Sequence, residues 1–337
     1  MRHLVPICVG SFILAGLGVL GVLALRPPPV AQAGSAPPAN PATCQDRDGD
    51  GFGLGCARGP DCNDLDSTIH PGQVETCNFR DDDCNALVDD NAGCSEPSID
   101  PAPVKVDAGS FLMGSPATVG ADDEHPLHAV QLKAFKIDRQ EVTNRRYQQC
   151  VQAGACRQPA LLSSNLRPDY YENPRFLDYP VVFVNWQQAD QFCRNAGGRL
   201  PSEAEWEKTA RGPDSSVRTF PWGDEAADCR RANMGGPGSC AGDTDRVGRR
   251  LLGASPYGAL DMAGNVWEWV ADWYDADWYQ KSPSDDPSGP ATGTLKVMRG
   301  GCWLSGSSTL RVSCRKAELP STWGYNIGFR CAYPEGR

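Results

Sequence analysis

The sequence predicts a large, irregular α+β domain behind a small module with too few apolar residues to hold itself together by burial. Three observations carry that division. The charge is uneven: the chain's formal net charge is −10, and the stretch from Cys44 to Cys94 alone holds twelve Asp or Glu against three Arg. Fifteen cysteines are many for a chain kept in reducing surroundings. Beyond Cys8 they divide into six in the acidic stretch (Cys44, Cys56, Cys62, Cys77, Cys84 and Cys94) and eight after it (Cys150, Cys156, Cys193, Cys229, Cys240, Cys302, Cys314 and Cys331). Both counts are even, so full pairing within each part is possible. Finally, 36 glycines and 28 prolines announce many loops, with short strands and helices between them.

From Leu4 to Leu25 no charged residue occurs, Arg2 and His3 precede the run, and Arg26 with three prolines follows it. That run is long enough to span a bilayer, and Ala31-Gln32-Ala33 before Gly34 reads as a small-residue cleavage site. Residues 1–33 are therefore expected to be a signal peptide or a membrane anchor. The remainder is expected outside the cytoplasm, whether periplasmic, cell-surface or secreted. Residues 34–43, rich in proline and alanine, read as a tether, and residues 95–103, with three prolines, as a second linker.

Residues 44–94 read as a cation-binding module. In Asp46-Arg47-Asp48-Gly49-Asp50-Gly51-Phe52 the carboxylates alternate and the glycines permit a tight turn, which is how a loop wraps oxygen ligands around a hard cation such as calcium. An ordinary EF-hand is excluded, because its twelfth position needs a bidentate Glu and Ala57 stands there. Asp61, Asp64 or Asp66 are expected to complete the shell. Oxygen-rich ligation favours calcium over copper or zinc, and His70 is the module's only imidazole. With few aliphatic residues, disulfides and bound cations must supply what burial cannot. A solvated acidic spacer is the alternative. The run Asp61-Cys62-Asn63-Asp64 through Asp81-Asp82-Asp83-Cys84-Asn85 to Asp89-Asp90 resembles a metal-binding module of secreted bacterial proteins.

Residues 104–337 read as one domain. In it, Asp123 to Leu132 leads into Phe135 to Asp138, alternating like a half-buried strand. His125 and His128 are its only histidines, and a hydrogen-bonded structural role is expected for them rather than a zinc site. Glu141-Val142-Thr143-Asn144 is expected to begin a helix running to about Gln152 and stopped by Gly154. Cys150 and Cys156 flank that stop, close enough for a local bridge. A second helix is expected from Asn185 to Ala196, stopped by Gly197-Gly198. Ser202 and Glu205 form a capping box for a third, from which Trp206 should pack inward.

Four strings in order, Arg199-Leu200-Pro201-Ser202-Glu203-Ala204-Glu205-Trp206-Glu207, Gly264-Asn265-Val266-Trp267-Glu268-Trp269-Val270, Arg299-Gly300-Gly301-Cys302-Trp303 and Gly328-Phe329-Arg330-Cys331, resemble the sulfatase-modifying-factor family, which includes the formylglycine-generating enzymes. The resemblance implies an irregular α+β fold related to the C-type lectin-like fold, and a disulfide between Cys193 and Cys331. It also implies calcium: Asp261 and Glu268 would supply side-chain ligands and Gly264 and Val266 carbonyls, while Asn233 and the carbonyl of Met234 would begin a second site whose remainder, Asp243 or Asp245, aligns poorly. Ordinary polar anchoring of a turn is the alternative role for Asp261 and Glu268.

The family enzyme converts a peptidyl cysteine to formylglycine with oxygen, using copper held between two thiolates. At those two positions this chain has Ser305 and Leu310, and cuprous copper needs soft ligands. Cys229 can join Cys240 across a short glycine-rich loop, which leaves Cys302 and Cys314 for each other. A structural bridge between them is the preferred reading and a redox pair the other.

No phosphate loop and no nucleophile elbow occur, and nucleic acid is an improbable partner for an acidic chain without a basic run. Two functions remain: a calcium-stabilised binding or scaffold domain for a peptide, protein or glycan, or a copper-using oxidoreductase that employs Cys302 and Cys314. Trp273, Trp278 and Tyr279 are candidates for an exposed recognition surface or for core. The membrane enters only through the N-terminal segment.

Overall fold

The computed structural model describes residues 44–63, 66–74, 82–84, 101–213, 217–236 and 239–336. The N-terminal segment and tether, Asp64, Cys77 and Cys94 lie outside the described residues. Those described fall into two units, one within residues 44–84 and one from residue 101 onward.

The small unit is built on turns. Asp46 turns the chain by accepting from the backbone N–H of Gly49 at 2.7 Å and of Gly51 at 3.0 Å, and Gln45 bridges Leu54. Disulfides join Cys44 to Cys56 and Cys62 to Cys84. Among its described residues only Cys56 and Ile69 are buried apolar side chains.

The large unit has three small sheets. β1 (Val104–Val106), β4 (Phe135–Ile137) and β9 (Ala332–Pro334) form one, in the order β1-β4-β9. β2 (Gly109–Met113) and β3 (His128–Leu132) form a hairpin. β5 (Trp267–Trp273), β6 (Lys296–Arg299), β7 (Lys316–Glu318) and β8 (Ile327–Phe329) form the third, in the order β7-β6-β5-β8. The last is the core sheet: β5 pairs antiparallel with β6 and parallel with β8, so the Trp-Glu-Trp string is flanked on both sides and buried. The fold is mixed α and β with few regular elements, as expected.

The capping signals place the helices. α1 (Asn144–Gln152) is capped by Thr143, α2 (Trp186–Asn195) by Asn185 with Gln188, and α3 (Glu203–Arg211) by Ser202 with Glu205. The first begins three residues later than the sequence suggests, because Val142 donates to the Phe329 carbonyl and Thr143 pairs with Pro180, and that tertiary pairing overrides the local signal. All nine residues of α3 are buried, five of them charged: Glu203, Glu205, Glu207, Lys208 and Arg211. Arg299 explains this: it reaches Glu203 at 3.0 Å and Glu207 at 2.5 Å, while Arg315 meets Glu203 at 2.7 Å and Arg211 meets Glu207 at 2.8 Å. Trp206 is fully buried, as expected. His125 and His128 each contact a backbone carbonyl through Nδ1, at Ser115 and Pro126.

Bridges join Cys150 to Cys156, Cys193 to Cys331 and Cys229 to Cys240, as the sequence suggests. The expected Cys302–Cys314 bridge does not form: both residues are buried thiols. Each sits in the main apolar cluster with Trp269, Met298 and Phe329, where a cysteine packs as a small apolar side chain. Even cysteine counts allow pairing but do not require it.

Candidate functional site

The loop after β6 holds the positions where the resemblance implies copper ligands. Gly300 and Gly301 both have left-handed backbone (φ 93° and 75°), and a Cβ on Gly301 would lie 2.7 Å from Leu310, so only glycine lets the two arms of this loop close. Ser305 Oγ accepts from the Cys302 N–H at 3.0 Å and lies 3.6 Å from its Sγ. Leu310 is fully buried against Phe220, Ala232 and Ala263. A hydroxyl occupied in a turn and an aliphatic side chain in a core do not fit copper(I). Cys302, 2% exposed, accepts from Asn326 Nδ2 at 3.4 Å.

Of the three candidate recognition aromatics Tyr279 is buried and Trp273 and Trp278 are half-buried. Tyr279 lies in the core beneath β2 and β3, and Trp278 packs against it. Trp273 and Trp186 hold the Lys296 ammonium between them, 3.9 and 4.0 Å from their ring centres. Burial lowers the Lys296 pKa to about 8. Among the described residues the exposed aromatics are Trp323 and Tyr325, 45% and 37% accessible, in the loop before β8. No sequence signal separated these from the buried ones.

The residues expected to hold calcium in the large unit are partly committed elsewhere. Both oxygens of Glu268 are engaged, by Arg330 at 2.7 Å each and by Trp206 Nε1 at 2.8 Å. The Asn233 amide donates to the Asp243 carbonyl and to Asn265, and the Met234 carbonyl accepts from Cys240. Asp243 meets Ser164, Leu166 and Arg167. Asp261, in a left-handed conformation (φ 55°), accepts from Gly248.

A residue missed from the sequence lies beside it. Glu141 is fully buried, with one oxygen bonded to Asn265 at 2.9 Å and its carboxyl within hydrogen-bonding reach of Asp261 when one of the two carries a proton. Burial, then the charge of Asp261, raises its pKa well above the carboxylate range, and burial raises that of Asp261. Four buried acids, Glu141, Asp245, Asp261 and Glu268, are met by three arginines, Arg249 and Arg250 on Asp245 and Arg330 on Glu268. Two facing buried carboxyls, Glu141 and Asp261, without an ion pair of their own fit a hard divalent cation. Its acid was legible but read as a helix-start signal.

In the small unit Asp46, Asp48 and Asp50 bring carboxylate oxygens within 4.8 Å of one another. Asp48 and Asp50 each use one oxygen to turn the backbone and leave the other buried without a partner, as does Asp61. Desolvation raises the Asp48 pKa, as do the charges of Asp50, Asp61 and Asp46, against an opposing backbone hydrogen bond from Asp50. Converging, unsatisfied carboxylates suit calcium-like ions. Asp66 instead caps Thr68. Asp61 also lies near the sulfurs of Cys62 and Cys84, but these are bonded to each other and offer no thiolate.

An irregular α+β domain with a buried Trp-Glu-Trp strand, a Gly-Gly turn and a terminal Gly-Phe-Arg-Cys strand defines a sulfatase-modifying-factor type of domain. A family model for the sulfatase-modifying factor enzyme 1-like domain matches residues 94–334, and the chain belongs to that family. A metal-binding motif model matches residues 61–90. The formylglycine-generating enzyme of Streptomyces coelicolor is 32% identical over 283 residues, 68% of this chain and 88% of its own. The inactive C-alpha-formylglycine-generating enzyme 2 of Mus musculus is 31% identical, covering 71% and 87%. A serine/threonine-protein kinase pkn1 of Chlamydia caviae is 36% identical over 241 residues, but this chain spans only 37% of it. Among solved structures, PvdO from Pseudomonas aeruginosa aligns with a TM-score of 0.58 at 29% identity, over 68% of this chain and 93% of that one. Among the described residues no helix is long and apolar enough to cross a membrane.

Proposed function

We propose that this chain is an extracytoplasmic member of the family without the standard copper–thiolate pair, acting as a calcium-stabilised binding domain. The observation that carries the reading is the pair Ser305 and Leu310: one is a turn hydroxyl and the other a core aliphatic, so neither position offers a soft ligand. The existence of an inactive relative, 31% identical and covered over 87% of its length, supports it. Calcium would bind in the small unit through Asp46, Asp48, Asp50 and Asp61, and in the large unit beside Asp261 with Glu141. The metal-binding motif and the disulfides support a location outside the cytoplasm.

The second reading, an oxidoreductase, is favoured by one observation: Cys302 is a thiol that accepts a hydrogen bond from Asn326. One assay decides. The purified chain is incubated with copper(I), oxygen, an external thiol reductant and a cysteine-containing sulfatase peptide, and the aldehyde is measured by mass spectrometry. The proposal expects no aldehyde and no stoichiometric copper. Turnover that disappears in Cys302→Ser establishes the oxidoreductase instead. Calcium titration by calorimetry expects saturable binding that weakens in Asp48→Asn and in Glu141→Gln.

A further inference from the structure

The exposed aromatics lie on one continuous array. Trp323 and Phe183 have ring centres 5.7 Å apart, Phe183 and Tyr325 6.4 Å, and Tyr325 and Trp303 5.8 Å. Phe183 holds this array together at a conformational cost. Its φ is 58°, a left-handed value that a bulky side chain rarely adopts. Two loops maintain it: Phe183 donates to the Gly324 carbonyl at 3.0 Å and accepts from Ala160 at 2.9 Å. Backbone strain of this kind persists where the side chain's placement matters.

Beside the array lies a shallow pocket of roughly 460 Å³, with Trp323 as one wall. Its other lining is dominated by amides: Gln158, Asn185, Gln187 and Gln191, with Arg157 as its single charged group. Asn185 is spent partly on capping α2, and Gln191 donates to the Ala155 carbonyl. The Gln187 amide is exposed, and Gln191 retains its oxygen. At the other end of the array the Trp303 indole N–H is buried and bonded to nothing, in a residue only 4% exposed. A buried donor without an acceptor calls for one.

We infer that this pocket and array bind a neutral oligosaccharide. A sugar ring has an apolar C–H face and a rim of hydroxyls that both donate and accept. A tryptophan wall takes the first, and side-chain amides, which also donate and accept, take the second. The pocket offers few charges for an acidic ligand. An extended peptide would look for backbone groups to pair with, and both backbone groups of Phe183 are already bonded. The inference rests on the binding-domain reading proposed above and names its ligand class.

The test uses the full chain, its calcium retained, titrated with cellohexaose, maltohexaose and chitohexaose at millimolar concentration while tryptophan fluorescence and calorimetric heat are followed. At least one is expected to bind with a fluorescence change. Trp323→Ala should weaken it about tenfold or more, as loss of a central aromatic contact does, and Gln187→Ala should weaken it several-fold. Both side chains are exposed, so neither change threatens folding; Leu251→Ala, an exposed apolar residue elsewhere (57%), should leave binding unchanged. Absence of binding to all three sugars overturns the inference, as does binding indifferent to both pocket variants. Binding of a cysteine-containing peptide, sensitive to Trp323→Ala, overturns it in favour of a peptide site. The aldehyde assay reports separately: aldehyde formation sinks the non-catalytic reading whether or not a sugar binds, and sugar failure without aldehyde sinks only the ligand class.

Discussion

The two units solve the same problem by opposite means. In the large one, apolar clusters surround a core sheet, and most charged groups inside are paired, Arg330 with Glu268 and Arg299 with Glu203 and Glu207, leaving Glu141 and Asp261 to face each other. In the small one two buried apolar side chains and two disulfides are found among the described residues, and Asp48, Asp50 and Asp61 each bury a carboxylate oxygen without a hydrogen-bond partner. Burial there cannot offset chain entropy. The difference teaches where the proposed cation would matter: in the large unit it would add to a core that already holds itself together, and in the small one it would be a condition of order.

That contrast is broken most directly by removing calcium. With EGTA in excess, hydrogen exchange across residues 44–63 is expected to rise to that of an unstructured chain, because metal binding in such modules is folding energy. Exchange in β5, β6 and β8 should hardly change. Equal loss of protection in both units would erase the distinction.

Next in size is a charge removed from the large unit. Arg330→Met leaves Glu268 buried with its ion partner gone, which costs about 3–5 kcal/mol. Adding Glu268→Gln should restore part of this, since the uncompensated charge is what hurts. Denaturant midpoints of the single and double variants measure it.

Acid tests the same unit more gently. Burial pushes the Glu124 pKa up, but Arg311, at 2.6 Å, outweighs it with help from the Ala121 N–H, and the result is about 2 against an ordinary 4.5. A carboxyl depressed in the folded state stabilises above its unfolded pKa, and the gain is lost as pH falls through the folded value. About 3 kcal/mol is at stake. Wild type should therefore exceed Glu124→Gln by that order at pH 6, and the gap should close between pH 4.5 and 2. A gap independent of pH would assign the contribution to packing.

What could be read from the sequence was whatever a short segment decides for itself. Asn185 with Gln188 and Ser202 with Glu205 name their helices because a capping box is a local device, and Cys150 and Cys156 lie within reach of one another across a single turn. The start of α1 was not legible, since Glu141 looks like a first-turn acid until Phe329 claims the backbone beside it. The aromatics failed for the same reason. Trp278 and Trp323 both sit in polar loops, and only the folded chain turns one inward and leaves the other out. Charged α3 was legible as a helix but not as a buried one, because its partner arginines lie about a hundred residues away.

The smallest effect concerns the cysteines, which separate the units again. In the small unit every described cysteine is bridged, so Cys56→Ala would also remove a cross-link. In the large one Cys302 contributes a sulfur packed in the apolar cluster and one acceptor for Asn326. Cys302→Ala removes a few contacts and strands that amide N–H, for a loss of about 1–2 kcal/mol. Cys302→Ser restores an acceptor in nearly the same place but buries a hydroxyl among aliphatic groups, so it should fall between wild type and the alanine variant. Thermal midpoints taken with copper excluded give the ranking. A structural thiol predicts this order with or without added copper(I). A serine variant that melts with wild type in the absence of copper, but alone fails to gain stability when copper(I) is added, would make Cys302 a ligand and return the large unit to redox chemistry.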